Sequence, residues 1–329
     1  MHLTPVTPHL GTEATGVDLA SLTELEWAEL EEAFFASGGL LLLRSQPADA
    51  SAVKAFAARF GSHLEDNEKY FRMGLGHQLH REHPEILAVG NALGENSMLI
   101  RVQPDDPLLW HCDDSFRDPQ PLGSLFFCVE APTEGAATWF ASGTAAFEAL
   151  PTSRQRQLEG LCAVHDYNVL NERLRLDNPD RPVLSDEMRA ANPPVLRPLA
   201  SQHPRSGRTS LYVPGCHIDR LLPLPSSASG GAAAAALGDD DGAQLLQSLV
   251  EHATSARFRY KHRWRAGDLI VWDNRCTLHA PSAFNDEAER RLMWRITIEG
   301  GEGEQLRPTP AELSSRMRSP PAAAGGARL

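Results

Sequence analysis

The chain has 329 residues, 42% of them hydrophobic, and a formal net charge of −12. That length and apolar content can bury a sizeable core. The negative balance argues against nucleic acid as a general partner, because phosphate binding rests on basic surface, although local arginines still admit small anions. Five widely spaced cysteines, Cys112, Cys128, Cys162, Cys216 and Cys276, contain no C-x-x-C pair and fit a reduced cytoplasmic compartment. No signal peptide is expected from Met1-His-Leu-Thr-Pro-Val6, and no apolar run reaches the roughly 18–20 residues that span a bilayer, so no membrane partner is expected.

In chain order, residues 21–37 read as a helix, with Thr23 and Glu26 as a capping box and Gly38-Gly39 as its stop. Leu40–Leu43 is a short buried strand, and Ser51–Phe60 a second helix closed by Gly61. Ile86–Val89, Leu125–Val129 and Thr138–Phe140 read as strands, Ala145–Leu150 and Thr152–Leu161 as helices. Residues 165–210 are proline-punctuated and read as loops, with a strand at Leu211–Val213 and a helix at Ala243–His252. Arg257–Arg265 alternates: Phe258, Tyr260, His262 and Trp264 face one way, arginines and a lysine the other, the pattern of a half-buried strand. Leu269–Trp272 and Leu292–Ile298 are further strands.

Many short strands after an N-terminal helical segment predict a mainly β fold with peripheral helices, a double-stranded β-helix of the jelly-roll, cupin-like kind. The reading is a single domain over 1–306, with a variable lid segment near 62–107, a low-complexity insertion near 222–242, and a disordered tail at 307–329.

The chemistry starts at Leu108-Leu-Trp-His-Cys-Asp-Asp-Ser-Phe116. In an extended chain, residues i and i+2 share a face, so His111 and Asp113 present an imidazole and a carboxylate together. Those are two of the three ligands of a 2-His-1-carboxylate iron site. The spacing recurs at His217-Ile-Asp219, and glutamate variants stand at His63-Leu-Glu65 and His83-Pro-Glu85. Context favours His111, which two strong strand signals follow. For a third ligand, His252, His262 and His279 all come into question. His252 lies near a helix end, and His262 sits on the apolar face of its strand. His279 is expected at or just past the end of the buried strand that begins near Leu269.

Arg291 and Arg295 fall on one face of their strand, about 13 Å apart at ~3.3 Å per residue. A guanidinium pairs bidentately with a carboxylate, so the two arginines can hold two anions; a solvated basic face is the alternative. There is no G-x-S-x-G, Walker loop, G-x-G-x-x-G or H-E-x-x-H.

With these motifs assembled, the chain resembles the Fe(II)/2-oxoglutarate-dependent taurine and chlorophenoxyacetate dioxygenases, the TauD/TfdA family. The resemblance is carried by Gly16-Val-Asp-Leu19, Trp110-His-Cys-Asp-Asp-Ser-Phe116, Phe147-Glu-Ala-Leu-Pro151, Leu158-Glu-Gly-Leu161, His203-Pro, Ser206-Gly-Arg, Leu211-Tyr-Val213, Gly267-Asp-Leu, Trp272-Asp-Asn-Arg-Cys276, His279 and Arg290-Arg-Leu-Met-Trp-Arg295, in family order. It implies iron ligands at His111, Asp113 and His279, and Thr138 with Arg291 on the distal carboxylate of 2-oxoglutarate. It implies Arg295 on a substrate sulfonate or carboxylate, Trp272 beside the metal, and Pro214 and His217 on the substrate side. The implied reaction consumes 2-oxoglutarate and O2 at Fe(II), releases succinate and CO2, and hydroxylates, and thereby in some cases cleaves, a small organic acid. The usual Gly-Gly-Asp before the threonine is here Gly135-Ala-Ala137. An oxygen-independent cupin-like metal hydrolase or lyase and a non-catalytic metabolite-binding module are the other readings. A homo-oligomer is compatible with the sequence.

Overall fold

A computed structural model describes residues 1–68, 76–92, 109–177, 181–223, 239–301 and 304. Two stretches of the expected lid (69–75 and 93–107), most of the expected insertion (224–238) and the expected tail (307–329) lie outside the described residues. The strands are β1 (His2–Pro5), β2 (Thr12–Thr15), β3 (Leu40–Leu43), β4 (His63–Leu64), β5 (Leu87–Gly90), β6 (Gly123–Glu130), β7 (Thr138–Ser142), β8 (Leu161–His165), β9 (Val195–Pro198), β10 (Ala200–Gln202), β11 (Thr209–Leu211), β12 (Ile218–Pro223), β13 (Arg259–His262), β14 (Leu269–Asp273), β15 (Thr277–Pro281) and β16 (Leu292–Glu299). The helices are α1 (Glu24–Ala36), α2 (Ala50–Ala57), α3 (Gly143–Glu148), α4 (Thr152–Glu159), α5 (Tyr167–Asp177), α6 (Asp186–Ala191) and α7 (Asp239–Ala253).

The major sheet runs β1-β2-β3-β14-β6-β16, with β4 and β5 both on the outer side of β16. The minor sheet runs β13-β7-β15. Period two along the strands sorts the side chains into layers. From the major sheet, Leu41, Leu43, Leu269 and Val271 pack outward against Leu30 and Phe34 of α1 and Val53 and Phe56 of α2. Leu40, Leu42, Ile270, Trp272 and Met293 point inward and meet Phe140 of the minor sheet. Both faces of the major sheet are therefore covered, which is why β3 reads as an unbroken leucine run rather than an alternation. On its outer side the minor sheet buries Ala141, Leu278 and Ala280 against α3 and α7. Two facing sheets with helices outside make the mainly β jelly roll that the strand pattern predicts.

The first helix keeps its predicted capping box: Thr23 and Glu26 satisfy each other's backbone N–H groups, an arrangement worth about 1 kcal/mol. The alternation at Arg257–Arg265 also appears, with Phe258, His262 and Trp264 buried. Residues 161–223 differ from expectation. The stretch read as loops, 165–210, holds β9, β10 and helices α5 and α6, while β8 and β12 on either side of it complete a three-stranded sheet in the order β12-β8-β9. Prolines stand at the margins of these short elements and hide them; Pro198, for example, ends β9.

Candidate active site

The site forms where the minor sheet meets the stretch at 111. His111 and His279 form an isolated antiparallel bridge: the His111 amide donates to the His279 carbonyl (2.9 Å) and the His279 amide to that of His111 (2.8 Å). The bridge sets the two rings side by side, centroids 4.0 Å apart. His279 lies in the middle of β15, opposite Phe140 of β7, on the inner face of the minor sheet. The sequence placed it at the end of the strand beginning near Leu269. That strand is β14 of the major sheet, and the turn at Asn274–Cys276 carries the chain across the jelly roll before His279 is reached.

Asp113 completes the cluster. One imidazole nitrogen each from His111 and His279 and one carboxylate oxygen of Asp113 all lie within 4.8 Å of one another. The Nε2 atoms stand 3.9 Å (His111) and 3.6 Å (His279) from Asp113 Oδ1, too far for hydrogen bonds. His111 Nδ1 is 3.0 Å from the Leu109 carbonyl, to which only an N–H can donate, so Nε2 carries the lone pair. His279 Nδ1 is buried and has no hydrogen-bond partner among the described residues. A buried imidazole with neither nitrogen engaged, beside a second lone pair and a carboxylate, fits a divalent metal. Burial, His111 and Arg295 hold the pKa of His279 well below the usual histidine range, which leaves it neutral and able to ligate. Burial pushes the Asp113 carboxyl up, but Arg295, then the two histidines and Ser124, outweigh it and keep it ionised.

Of the supporting groups, Trp272 was expected beside the metal, whereas Ser124 and Asn274 were not assigned a role. Ser124 of β6 donates to Asp113 Oδ2 (2.7 Å). Asn274 Oδ1 accepts from the Asp113 amide (3.2 Å) and from Trp272 Nε1 (3.1 Å). Trp272 packs 4.8 Å from the His279 ring. Ser124 carried no sequence signal at all, whereas Asn274 stood inside a stretch already singled out.

The two arginines are drawn inward, not onto a solvated face. Arg291 is 8% exposed, and no acidic side chain among the described residues pairs with it. Burial lowers its pKa to about 10. Its backbone is fixed against Gly90, whose φ of +145° and 2.0 Å approach of a built Cβ to the Arg291 carbonyl leave no room for a side chain. An uncompensated buried cation costs several kcal/mol, so this guanidinium fits a bound anion. Thr138, also buried, accepts from Trp264 Nε1 (2.9 Å), which leaves its hydroxyl proton to donate. Arg295 was expected to face a substrate anion; its Nη2 lies 3.2 Å from Asp113 Oδ1. His217 is buried beside His111, ring centroids 6.4 Å apart, with Nδ1 on Ser115 Oγ (3.0 Å). Burial, then His111, pushes its pKa down to about 3. The other histidines fall away from the site: His262 bonds Asp268 (3.1 Å) and His252 the Ala146 carbonyl (2.9 Å).

Comparison with known proteins agrees with this geometry. The family model described as "Taurine catabolism dioxygenase TauD, TfdA family" matches residues 2–297. The alpha-ketoglutarate-dependent 2,4-dichlorophenoxyacetate dioxygenase of Cupriavidus pinatubonensis is 32% identical over 305 residues, covering 90% of this chain and 96% of that protein. The (S)-phenoxypropionate/alpha-ketoglutarate-dioxygenase of Sphingobium herbicidovorans is 28% identical, covering 91% and 94%. The crystal structure of AAD-2 in complex with Mn(II) and N-oxalylglycine matches with a TM-score of 0.69 at 28% identity, covering 94% of this chain and 98% of that one. These findings support oxidative chemistry and set aside the metal hydrolase and the non-catalytic module. No helix among the described residues is long and apolar enough to cross a membrane. The chain belongs to the TauD/TfdA family and is an Fe(II)-dependent dioxygenase that uses 2-oxoglutarate and O2 as co-substrates.

Proposed function

We propose that His111, Asp113 and His279 hold the iron, that Arg291 and Thr138 hold the far carboxylate of 2-oxoglutarate, and that Arg295 and His217 meet the acidic group of a small carboxylate or sulfonate substrate. When bound, iron with 2-oxoglutarate and O2 supplies the oxidising power: 2-oxoglutarate becomes succinate and CO2, and one oxygen atom enters a substrate C–H bond. Hydroxylation of a carbon next to an ether oxygen gives a hemiacetal that breaks down, so an aryloxyalkanoate, the class named for two relatives, would be cleaved.

This chain's own residues supply position and charge. His111 is fixed as a ligand by its Nδ1–H on Leu109, and Asp113 by Ser124 and Asn274. The observation that carries the reading is Arg291: a guanidinium buried without an acidic partner among the described residues, at the position where the resemblance expects a dicarboxylate. Arg295 has a double task, steadying Asp113 and offering positive charge beside it. The five free, buried cysteines suit a reducing, cytoplasmic compartment.

The test is anaerobic. Fe(II) plus 2-oxoglutarate should give a visible charge-transfer band, absent in His111→Ala. Oxygen uptake should then be triggered by a small carboxylate or sulfonate from a panel that includes 2,4-dichlorophenoxyacetate. Uptake triggered only by neutral or cationic compounds would refute the anionic substrate while leaving the co-substrate assignment standing.

A further inference from the structure

Behind His217 lies a buried polar chain that the reaction as described does not use. Ser115 Oγ sits between two histidines, 3.0 Å from His217 Nδ1 and 3.1 Å from His165 Nδ1. All three residues are buried: Ser115 and His165 at 0% and His217 at 4% exposure. Their frame is tight. His165 ends β8, pairs with Ile218 of β12 and stacks on Tyr212 at 5.6 Å. The Asp166 amide donates to the His217 carbonyl (2.9 Å), and Arg197 Nε donates to the Ser115 carbonyl (2.9 Å). His165 Nε2 is buried with no hydrogen-bond partner among the described residues.

A serine hydroxyl has one proton. The oxygen could accept from both Nδ1–H groups, but the hydroxyl proton would then be buried with no acceptor among the described residues; it therefore donates to one Nδ1 and accepts from the other, and the two imidazoles carry opposite tautomers. In the first arrangement His165 Nδ1–H donates to Ser115, and Ser115 donates to His217 Nδ1. His165 Nε2 is then a bare lone pair, and His217 carries its proton on Nε2. In the second, every bond is reversed. His165 Nε2–H becomes a buried donor with nothing to bond, and His217 Nε2 is bare. Orphaned buried N–H groups are rarer than unsatisfied acceptors, so the first arrangement wins. The charge of Arg197, after burial itself, opposes protonation of His165 and so keeps that ring a single-proton, neutral partner.

We infer that Ser115 and His165 are positioning residues that lock His217 as its Nε2–H tautomer, so that the ring offers the substrate pocket a hydrogen-bond donor. A bare Nε2 beside His111 would repel an anionic oxygen and would itself be a candidate metal ligand. The Nε2–H form does neither, and it matches the acidic group of the substrate proposed above, on which this use of the donor rests. The sequence marked His217 but gave no reason to connect it with His165, 52 positions earlier, because only the pairing of β8 with β12 brings them together.

The tautomer can be read directly by two-bond 15N–1H spectroscopy of 15N-histidine-labelled protein loaded with Zn(II) in place of iron, with His217 assigned by its disappearance in His217→Gln. The wild type should show His217 protonated at Nε2 only. Ser115→Ala should replace that pattern by a mixture. His165→Phe, which keeps the stack on Tyr212 but removes the N–H, should do the same. His165→Asn, whose amide N–H stands where Nδ1–H stood, should restore it. A wild-type His217 protonated at Nδ1 overturns the inference, as does an unchanged Nε2–H signal in either of the first two variants. The reading needs no organic substrate. A wrong substrate class therefore leaves it untouched, and a wrong tautomer leaves the charge-transfer band intact.

Discussion

Two buried clusters in this molecule have nearly the same composition and opposite uses. One is His111, Asp113 and His279 with Arg295; the other is His203, Asp273 and Cys276 with Arg275, and both triads bring their ligand atoms within 4.8 Å. Around Asp273 every valence is spent. Arg275 bonds both carboxylate oxygens (2.8 and 2.6 Å), its own amide adds a third bond, and His203 Nε2 a fourth at 2.9 Å. His203 Nδ1 accepts from the Arg205 and Ser206 amides, so it is filled as well. Gly39 (φ +77°) lets the backbone close over the cluster, where a Cβ would strike Asp273 and Cys276 at 2.7 and 2.8 Å. Around Asp113 the two imidazoles stand back at 3.6 and 3.9 Å, and His279 Nδ1 has no partner among the described residues. The Asp273 cluster is a clasp on the β14-β15 turn; the Asp113 cluster is a donor set held open. Residue types and proximity alone do not distinguish a metal site from a clasp; unspent hydrogen-bonding capacity does.

The largest expected effect is a double dissociation. Asp113→Asn should abolish the charge-transfer band and lower turnover by well over ~10²-fold, the cost of merely losing a ligand's outer partner, with melting in the absence of metal changed little. Asp273→Asn should cost about 3–5 kcal/mol of stability, as for breaking a buried ion pair, while folded protein retains the band. Arg275 and His203 hold the Asp273 carboxyl below its usual range against burial. Its stabilisation is therefore full above the ordinary carboxyl pKa near 3.9 and drains as pH falls toward the folded value, and Asp273→Asn should flatten that acid limb. Equal losses of stability in both variants would end the distinction between clasp and open site.

A smaller contrast separates the two arginines. Arg291→Ala should raise the concentration of 2-oxoglutarate needed for half-saturation by about 10²-fold, in line with truncating one partner of a buried charge pair. Arg295→Ala should raise the substrate constant about tenfold and that for 2-oxoglutarate by less than threefold. Because Arg295 also steadies Asp113, that variant should need more iron, within the roughly 10–100-fold range for outer-sphere losses. Steady-state titration of each component separates these outcomes. If both variants weaken only 2-oxoglutarate, the division of labour fails.

The sequence carried the open site better than the clasp or the walls. His111 and Asp113 are two residues apart and the arginines four, so strand periodicity alone aligned them. His279 was placed in the correct neighbourhood but on the wrong strand, because the change of sheet at Asn274–Cys276 leaves no mark in hydropathy. Ser124, Asn274, Ser115 and His165 act through pairings between distant strands, and a lone serine or histidine in a buried run looks like any other. Strands β9 and β10 were missed because each is at most four residues long and prolines border them, and β8 because its five residues follow α4 after a single glycine.

The smallest prediction concerns a turn at which the sequence departs from the family pattern expected for it. Gly135-Ala-Ala137 replaces the usual Gly-Gly-Asp, and Ala136 takes up φ +46°, the region a glycine would occupy without strain. The turn is pinned nonetheless: the Ala136 amide donates to the Ala283 carbonyl (3.1 Å) and the Ser282 amide to that of Ala137 (2.8 Å), which delivers Thr138 into β7. A left-handed alanine costs about 1–2 kcal/mol, and glycine's extra freedom in the unfolded chain returns about 0.5–1 kcal/mol of that. Ala136→Gly should therefore stabilise by up to about 1 kcal/mol, a rise in Tm of about 1–2 °C for a chain of this size. The constant for 2-oxoglutarate should not move, since the backbone already holds Thr138 in place without the glycine. A lower Tm would show that Ala136 does not occupy the left-handed region. A changed 2-oxoglutarate constant would show that this turn, like the open cluster and unlike the clasp, belongs to the working part of the site.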